Sequence, residues 1–126
     1  MILDSSAVIA ILRSEPEAPE LARLIREADS VAIGAPTVLE IAMVAGPSRA
    51  ADVDDLLARA RVDVVAFTAD HLAVARRAHA AYGRGSGSPA RLNFGDCLSY
   101  AVAKLAEDSL LFKGTDFSHT DVVAAR

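Results

Sequence analysis

Four carboxylates stand apart by their position in the chain. Asp4 follows the apolar triplet Met1-Ile2-Leu3, and Asp116 sits in Gly114-Thr115-Asp116-Phe117 just after Leu110-Leu111-Phe112. Glu40 is the only charged residue between Asp29 and Arg49, among Val38, Leu39, Ile41 and Met43. Asp96 is likewise the only charge between Arg91 and Lys104. A lone carboxylate in apolar surroundings needs a partner, because an unpaired buried charge is costly. Each also has an ordinary explanation: a helix N-cap for Asp4, a helix-face residue reaching solvent for Glu40, an acid favoured by the helix dipole for Asp96, a turn former for Asp116. If the four converge, they repel one another unless protons or cations intervene, and an oxygen-only donor set favours Mg²⁺ or Mn²⁺ over Zn²⁺.

No histidine competes for that role. His71 and His79 are spaced unlike the i,i+3 or i,i+4 pairs of a helical metal site, His119 stands alone near the end, and no His-Glu-x-x-His occurs. The single cysteine, Cys97, excludes an intramolecular disulfide, suits a reducing compartment and is expected as a small buried hydrophobe.

The elements that position these acids follow from apolar runs and caps. Met1-Ile2-Leu3, Val31-Ala32-Ile33, Val62 to Phe67 and Leu110-Leu111-Phe112 read as strands, with Val122-Val123 as a fifth. Helices are expected from Ala7 to Leu12 behind an Asp4-Ser5-Ser6 cap, and after Ser14-Glu15-Pro16-Glu17, which has capping-box spacing. Others are expected from Pro36 to Ala45 on a buried face, from Ser48 to Arg59, from Thr68 to Tyr82 and from Asn93 to Glu107. Gly83 to Pro89 reads as a surface loop. Strands alternating with helices predict a three-layer α/β/α sandwich with a mainly parallel central sheet. Sites in such sheets form beyond the carboxyl ends of the strands, where strand order reverses.

A chain of 126 residues fits one domain spanning residues 1–126. Hydrophobic residues make up 52%, but 26 of them are alanine, so the core is expected to be helical and rich in small side chains. The net charge of -4 provides no broad basic surface for nucleic acid, so an anionic substrate must be met locally. No apolar run approaches the roughly 20 residues of a membrane span, which leads to the expectation of a soluble, cytoplasmic protein.

In these segments the sequence resembles the PIN-domain ribonuclease family, and within it the VapC-type toxins of type II toxin–antitoxin systems. The resemblance runs through MILDSSAVIAIL, PTVLEIAMV, ARLNFGDCLSYAVAK and FKGTDFSHTDV, nearly the whole chain. It implies a PIN-like fold and metal-dependent endoribonuclease activity. By resemblance, Asp4, Glu40, Asp96 and Asp116 form the catalytic Mg²⁺- or Mn²⁺-binding site, with Ser6 and Asn93 supporting it. It further implies a VapB-type antitoxin partner and a homodimer, with which the mean hydropathy of +0.29 is compatible. One departure is Ser5, where threonine is commoner. Arg13, Arg84, Arg91 and Lys113 are candidates for flanking RNA phosphates.

Two other readings compete. A phosphoacceptor receiver domain shares the length, the alternation, an Mg²⁺ acid cluster and a lysine after a late strand, here Lys113. It wants paired acids after the first strand and an Asp ending the third, whereas here Ser5 and Ser6 follow Asp4 and the third strand ends Phe67-Thr68. A catalytically silent PIN regulatory module is the other.

Overall fold

The computed structural model describes residues 1–126. Four short strands, β1 (Ile2–Leu3), β2 (Ala32–Gly34), β3 (Asp63–Val65) and β4 (Leu110–Leu111), form one sheet in the order β3-β2-β1-β4. Every pairing is parallel, with Ile2 opposite Ala32 and Leu110, and Ile33 opposite Val64. Strand order therefore reverses at β1, which has β2 on one side and β4 on the other.

Strand alternation sorts the core onto two faces. Ile2 and Leu110 pack with Ala75, Ala78, Tyr100, Ala101 and Val102, beneath helices α5 (Ala69–Tyr82) and α6 (Phe94–Ala106). Leu3, Ile33 and Leu111 point the other way, into Val8, Leu21, Ile25, Ile41, Val53 and Leu57. Those side chains come from α1 (Ser5–Leu12), α2 (Ala18–Glu27), α3 (Ala35–Ala45) and α4 (Ala50–Arg59). The result is the expected α/β/α sandwich. Alanines at 75, 78, 101 and 103, each at most 8% exposed, give α5 and α6 faces narrow enough to lie close together against the sheet.

Several local expectations change. Ser14 does not cap α2: it has a left-handed φ of 52°, and the helix starts at Ala18 with Glu17 at the N-cap position and Pro19 in the first turn. The Glu15 and Glu17 carboxylates pair with Lys113 instead. The segment from Ser48 divides into a 3-10 turn, Pro47–Arg49, and α4, where Arg49 donates to Asp52 (2.6 Å) and to the Leu12 carbonyl (2.8 Å). Val122-Val123 forms no strand; the chain adds one parallel bridge, Ala124 to Leu110, beside β4. The third strand is shorter than Val62 to Phe67, because beyond Val65 it has no neighbour to continue the ladder. The α3 helix is not buried all round: Leu39, Met43 and Val44 are 63%, 74% and 50% exposed.

Candidate active site

Asp4 leaves the end of β1 and caps α1. Its Oδ2 accepts from the Ser6 backbone N–H (3.0 Å) and the Ser6 hydroxyl (2.5 Å), while its Oδ1 is buried without a partner. The Ser6 hydroxyl oxygen also accepts from the backbone N–H of Lys113 at 3.0 Å. One hydroxyl therefore ties the carboxyl end of β1 to the carboxyl end of β4, at the point where strand order reverses. The capping explanation and the site explanation for Asp4 are compatible, because they use different oxygens.

Asp96 does the same at the start of α6. Asn93 and Asp96 form a capping box, and Asp96 is 8% exposed. Burial pushes its pKa up to about 6; the Asn93 backbone N–H pulls the other way, and the charges of Asp4, Asp116 and Glu40 push it up further. Glu40 reaches this corner from α3. Its Oε1 is buried without a partner, and its carboxylate lies against Gly95: a Cβ on that glycine would fall 2.0 Å from Oε2.

Asp116 is exposed and opens a short 3-10 turn, Asp116–His119, that follows β4. The turn is anchored by Phe117, 3% exposed, whose ring lies 5.0 Å from that of Phe112. The carboxylates do not close on one point: no three carboxylate, imidazole or thiolate side chains are arranged as a metal cage. That openness suits a hard cation, since Mg²⁺ keeps several waters and takes only one or two carboxylates directly. The unpartnered buried oxygens of Asp4 and Glu40, the oxygen-only donor set and the desolvated Asp96 together fit such an ion.

Among the candidate RNA contacts, Lys113 is already engaged, with its Nζ paired to Glu15 and lying 3.5 Å from Glu17. Hydrogen bonding to Glu15 holds its pKa above the ordinary lysine value. Arg13, Arg84 and Arg91 are exposed and take part in no ion pair. Cys97 is buried, and burial, with the Asp96 charge, pushes its thiol pKa up, so it is a poor nucleophile. His71 serves α5, its Nδ1 accepting from the Thr68 N–H at 3.0 Å.

Three residues went unnoticed in the sequence. Gly95 makes room for Glu40, and its signal is a glycine in the first turn of an otherwise good helix, where glycine is normally unfavourable. Thr37 and Ser99 are each 1% exposed with hydroxyls that have no partner, three residues before Glu40 and three after Asp96. A single buried hydroxyl in an apolar run carries no signal by itself.

An all-parallel α/β/α sandwich whose strand order reverses at β1, with Asp4 at the end of that strand, defines the class of protein. The chain belongs to the PIN domain family, whose profile matches residues 1–123. It is 44% identical over 129 residues to ribonuclease VapC28 of Mycobacterium tuberculosis, covering 99% of this chain and 97% of that protein. It is 40% identical over 126 residues to ribonuclease VapC42 of the same species, covering 97% and 96%. In fold it is similar to a toxin-antitoxin complex from Klebsiella pneumoniae (TM-score 0.73, 20% identity, 99% and 97% covered). It is also similar to VapBC2 from Rickettsia felis bound to a promoter DNA fragment (TM-score 0.75, 14% identity, 98% and 94% covered). Membership of this family displaces the receiver-domain alternative.

Proposed function

We propose that the protein is a Mg²⁺- or Mn²⁺-dependent endoribonuclease acting as the toxin of a toxin–antitoxin pair, with residues 1–126 working as one domain. The observation that carries this reading is the pair of buried, unpartnered carboxylate oxygens, Asp4 Oδ1 and Glu40 Oε1, beside a desolvated Asp96. Asp4, Glu40, Asp96 and Asp116 are the residues to hold the ion. When bound, a divalent cation there supplies Lewis acidity and charge neutralisation for a phosphodiester.

The chain's own residues prepare the site. Ser6 holds Asp4 against the end of β4, and the Asn93 backbone N–H, donating to Oδ2, fixes the orientation of the Asp96 carboxylate. Gly95 gives the Glu40 carboxylate its place beside Asp96. The relatives' names support RNA as the substrate, and the toxin–antitoxin assemblies of similar fold support a VapB-type antitoxin as partner. No helix is long and apolar enough to cross a membrane, and an RNA substrate supports a cytoplasmic location. The exposed Leu39, Met43 and Val44 face of α3 supports a homodimer.

The test is incubation of purified protein with total cellular RNA in Mg²⁺, in Mn²⁺ and in excess EDTA, with the new 5′ ends mapped. Cleavage at defined sites only with the metals, lost in Asp4→Asn, is expected. Full cleavage in EDTA overturns metal dependence, and no cleavage under any condition leaves the silent PIN module. Light scattering at micromolar concentration reads the dimer, and the purified complex with a co-encoded antitoxin should show reduced cleavage.

A further inference from the structure

Between α5 and α6 lies an open groove of about 670 Å³, within the roughly 300–1,000 Å³ of small-ligand sites. Phe67, Leu72 and Leu98 line it together with Arg76, Arg84, Asn93 and Phe94. We propose that this groove receives one unstacked nucleotide of a single-stranded RNA, its base stacked on Phe94 and its flanking phosphates on Arg76 and Arg84. The inference rests on the ribonuclease reading and adds where the strand is gripped.

Phe94 is 81% exposed, the most exposed large hydrophobic side chain in the protein. Leaving a phenylalanine in water forgoes about 1.5–3 kcal/mol of burial, and Phe94 contributes nothing to either core cluster. Its neighbours in sequence are both part of the site, since Asn93 caps Asp96 and Gly95 makes room for Glu40. A base on this ring therefore lies at the same first turn of α6 that carries Asp96, two residues along the chain. Every nucleobase has a face that stacks on an aromatic ring, and a single strand frees that face where a duplex does not.

Charge complementarity selects the same occupant. Arg23, Arg49 and Arg126 pair with carboxylates, whereas the other arginines have none, and of those Arg76 and Arg84 line this groove. Two guanidinium groups lining one groove that holds no carboxylate, in a chain of net charge -4, suit a ligand that carries phosphates and spans both. The rim is also built. Gly83 bridges to Leu92, Leu92 donates to the Tyr82 carbonyl (2.9 Å), and Arg84 donates to the Leu92 carbonyl (3.3 Å). A Cβ on Gly83 would fall 2.5 Å from the His79 carbonyl oxygen, so only glycine lets the end of α5 close onto the segment before α6. Arg84 thus projects from a pinned turn.

The experiment measures anisotropy of a fluorescein-labelled, mixed-sequence single-stranded RNA of about 12 nucleotides, with Ca²⁺ replacing Mg²⁺ to hold back cleavage. Phe94→Ala is expected to weaken binding roughly 5- to 100-fold, the range of one base–aromatic stack. Phe94→Trp should restore it and Phe94→Leu should not, which separates stacking from apolar packing. Arg76→Ala with Arg84→Ala should weaken binding and reduce its salt dependence. In Mg²⁺, Phe94→Ala should raise KM more than it lowers kcat and relax base preference at one position beside the cut. If the wild type cleaves RNA and Phe94→Ala binds it equally well, the groove assignment is wrong and the ribonuclease reading stands. If the wild type neither binds nor cleaves RNA, both fail. If Phe94→Ala leaves RNA affinity unchanged but lowers the mass in light scattering, the groove is covered by a second copy of the chain, and the assignment is overturned.

Discussion

Asn93 and Asp96 hold each other across the first turn of α6: the Asn93 Oδ1 accepts from the Asp96 N–H at 2.9 Å, and the Asp96 Oδ2 accepts from the Asn93 N–H at 3.0 Å. The box that starts the helix therefore also aims the carboxylate, leaving Oδ1 of Asp96 for the site. An amide oxygen at position 96 keeps the helix bond but loses the charge. Asp96→Asn is thus expected to lower cleavage by a hundredfold or more, on the order of the 3 kcal/mol attached to a lost charge-stabilising group. The same variant should melt higher than wild type in EDTA and respond less to Mg²⁺. A lower melting temperature in EDTA with a full Mg²⁺ response would make Asp96 a helix cap only.

The pH dependence of metal-free stability tests the same crowding. Asp96 is raised to about 6 when folded, against roughly 4 when unfolded, so the folded state binds more protons between those values. The stability tied to this proton is fully present below about 4 and lost as pH rises through 6. Asp121, lowered by the Tyr100 hydroxyl and by Lys104, runs the opposite way, but its contribution disappears only as pH falls below about 4. As pH falls from about 7.5 to 5.5 the wild type in EDTA should therefore gain stability relative to Asp96→Asn, by on the order of 1 kcal/mol. Parallel melting curves for the two proteins over that range would contradict the raised carboxyl.

What the sequence reveals and what it hides have physical causes. Ile2-Leu3 and Leu110-Leu111 are apolar on both faces of their strands, which shows a sheet covered on both sides, while which side chain meets which helical layer emerges only from the packed core. An isolated charge in an apolar run is visible for the same reason a buried charge is expensive, and Glu40 and Asp96 show it. Leu39 and Met43 misled, because apolar spacing on α3 is the same whether a helix face meets its own core or faces outward. Ser14-Glu15-Pro16-Glu17 has capping spacing, yet Lys113, a hundred residues on, takes both carboxylates, a tertiary pairing that local spacing does not encode. Gly95 is legible only once Glu40 is known to lie against it.

Ser6 joins two strands through one oxygen, donating to Asp4 and accepting from the Lys113 N–H. Ser6→Ala leaves both groups short of a partner, so a loss of about 1–3 kcal/mol in unfolding free energy is expected, with weaker cleavage. Ser6→Thr keeps the hydroxyl and should recover most of both. If Ser6→Ala lowers stability but leaves the Mg²⁺ dependence of cleavage unchanged, the serine ties the strands together without orienting Asp4.

Gly95→Ala separates fold from site. Gly95 does not have a positive φ, and alanine is the better helix former by up to about 1 kcal/mol, so the backbone accepts the change. The new methyl would fall 2.0 Å from Oε2 of Glu40 and 2.8 Å from its Cδ, and the carboxylate is the flexible end that must move. The variant is therefore expected to melt within a few degrees of wild type while cleaving RNA about tenfold or more slowly. Glu40→Gln should lower cleavage as well, and combining the two should cost little beyond the larger single effect, because both remove the same carboxylate from the same place. Wild-type cleavage by Gly95→Ala would show that the position of Glu40 beside Asp96 is not needed for the reaction, and additive losses in the double variant would assign the glycine a separate role.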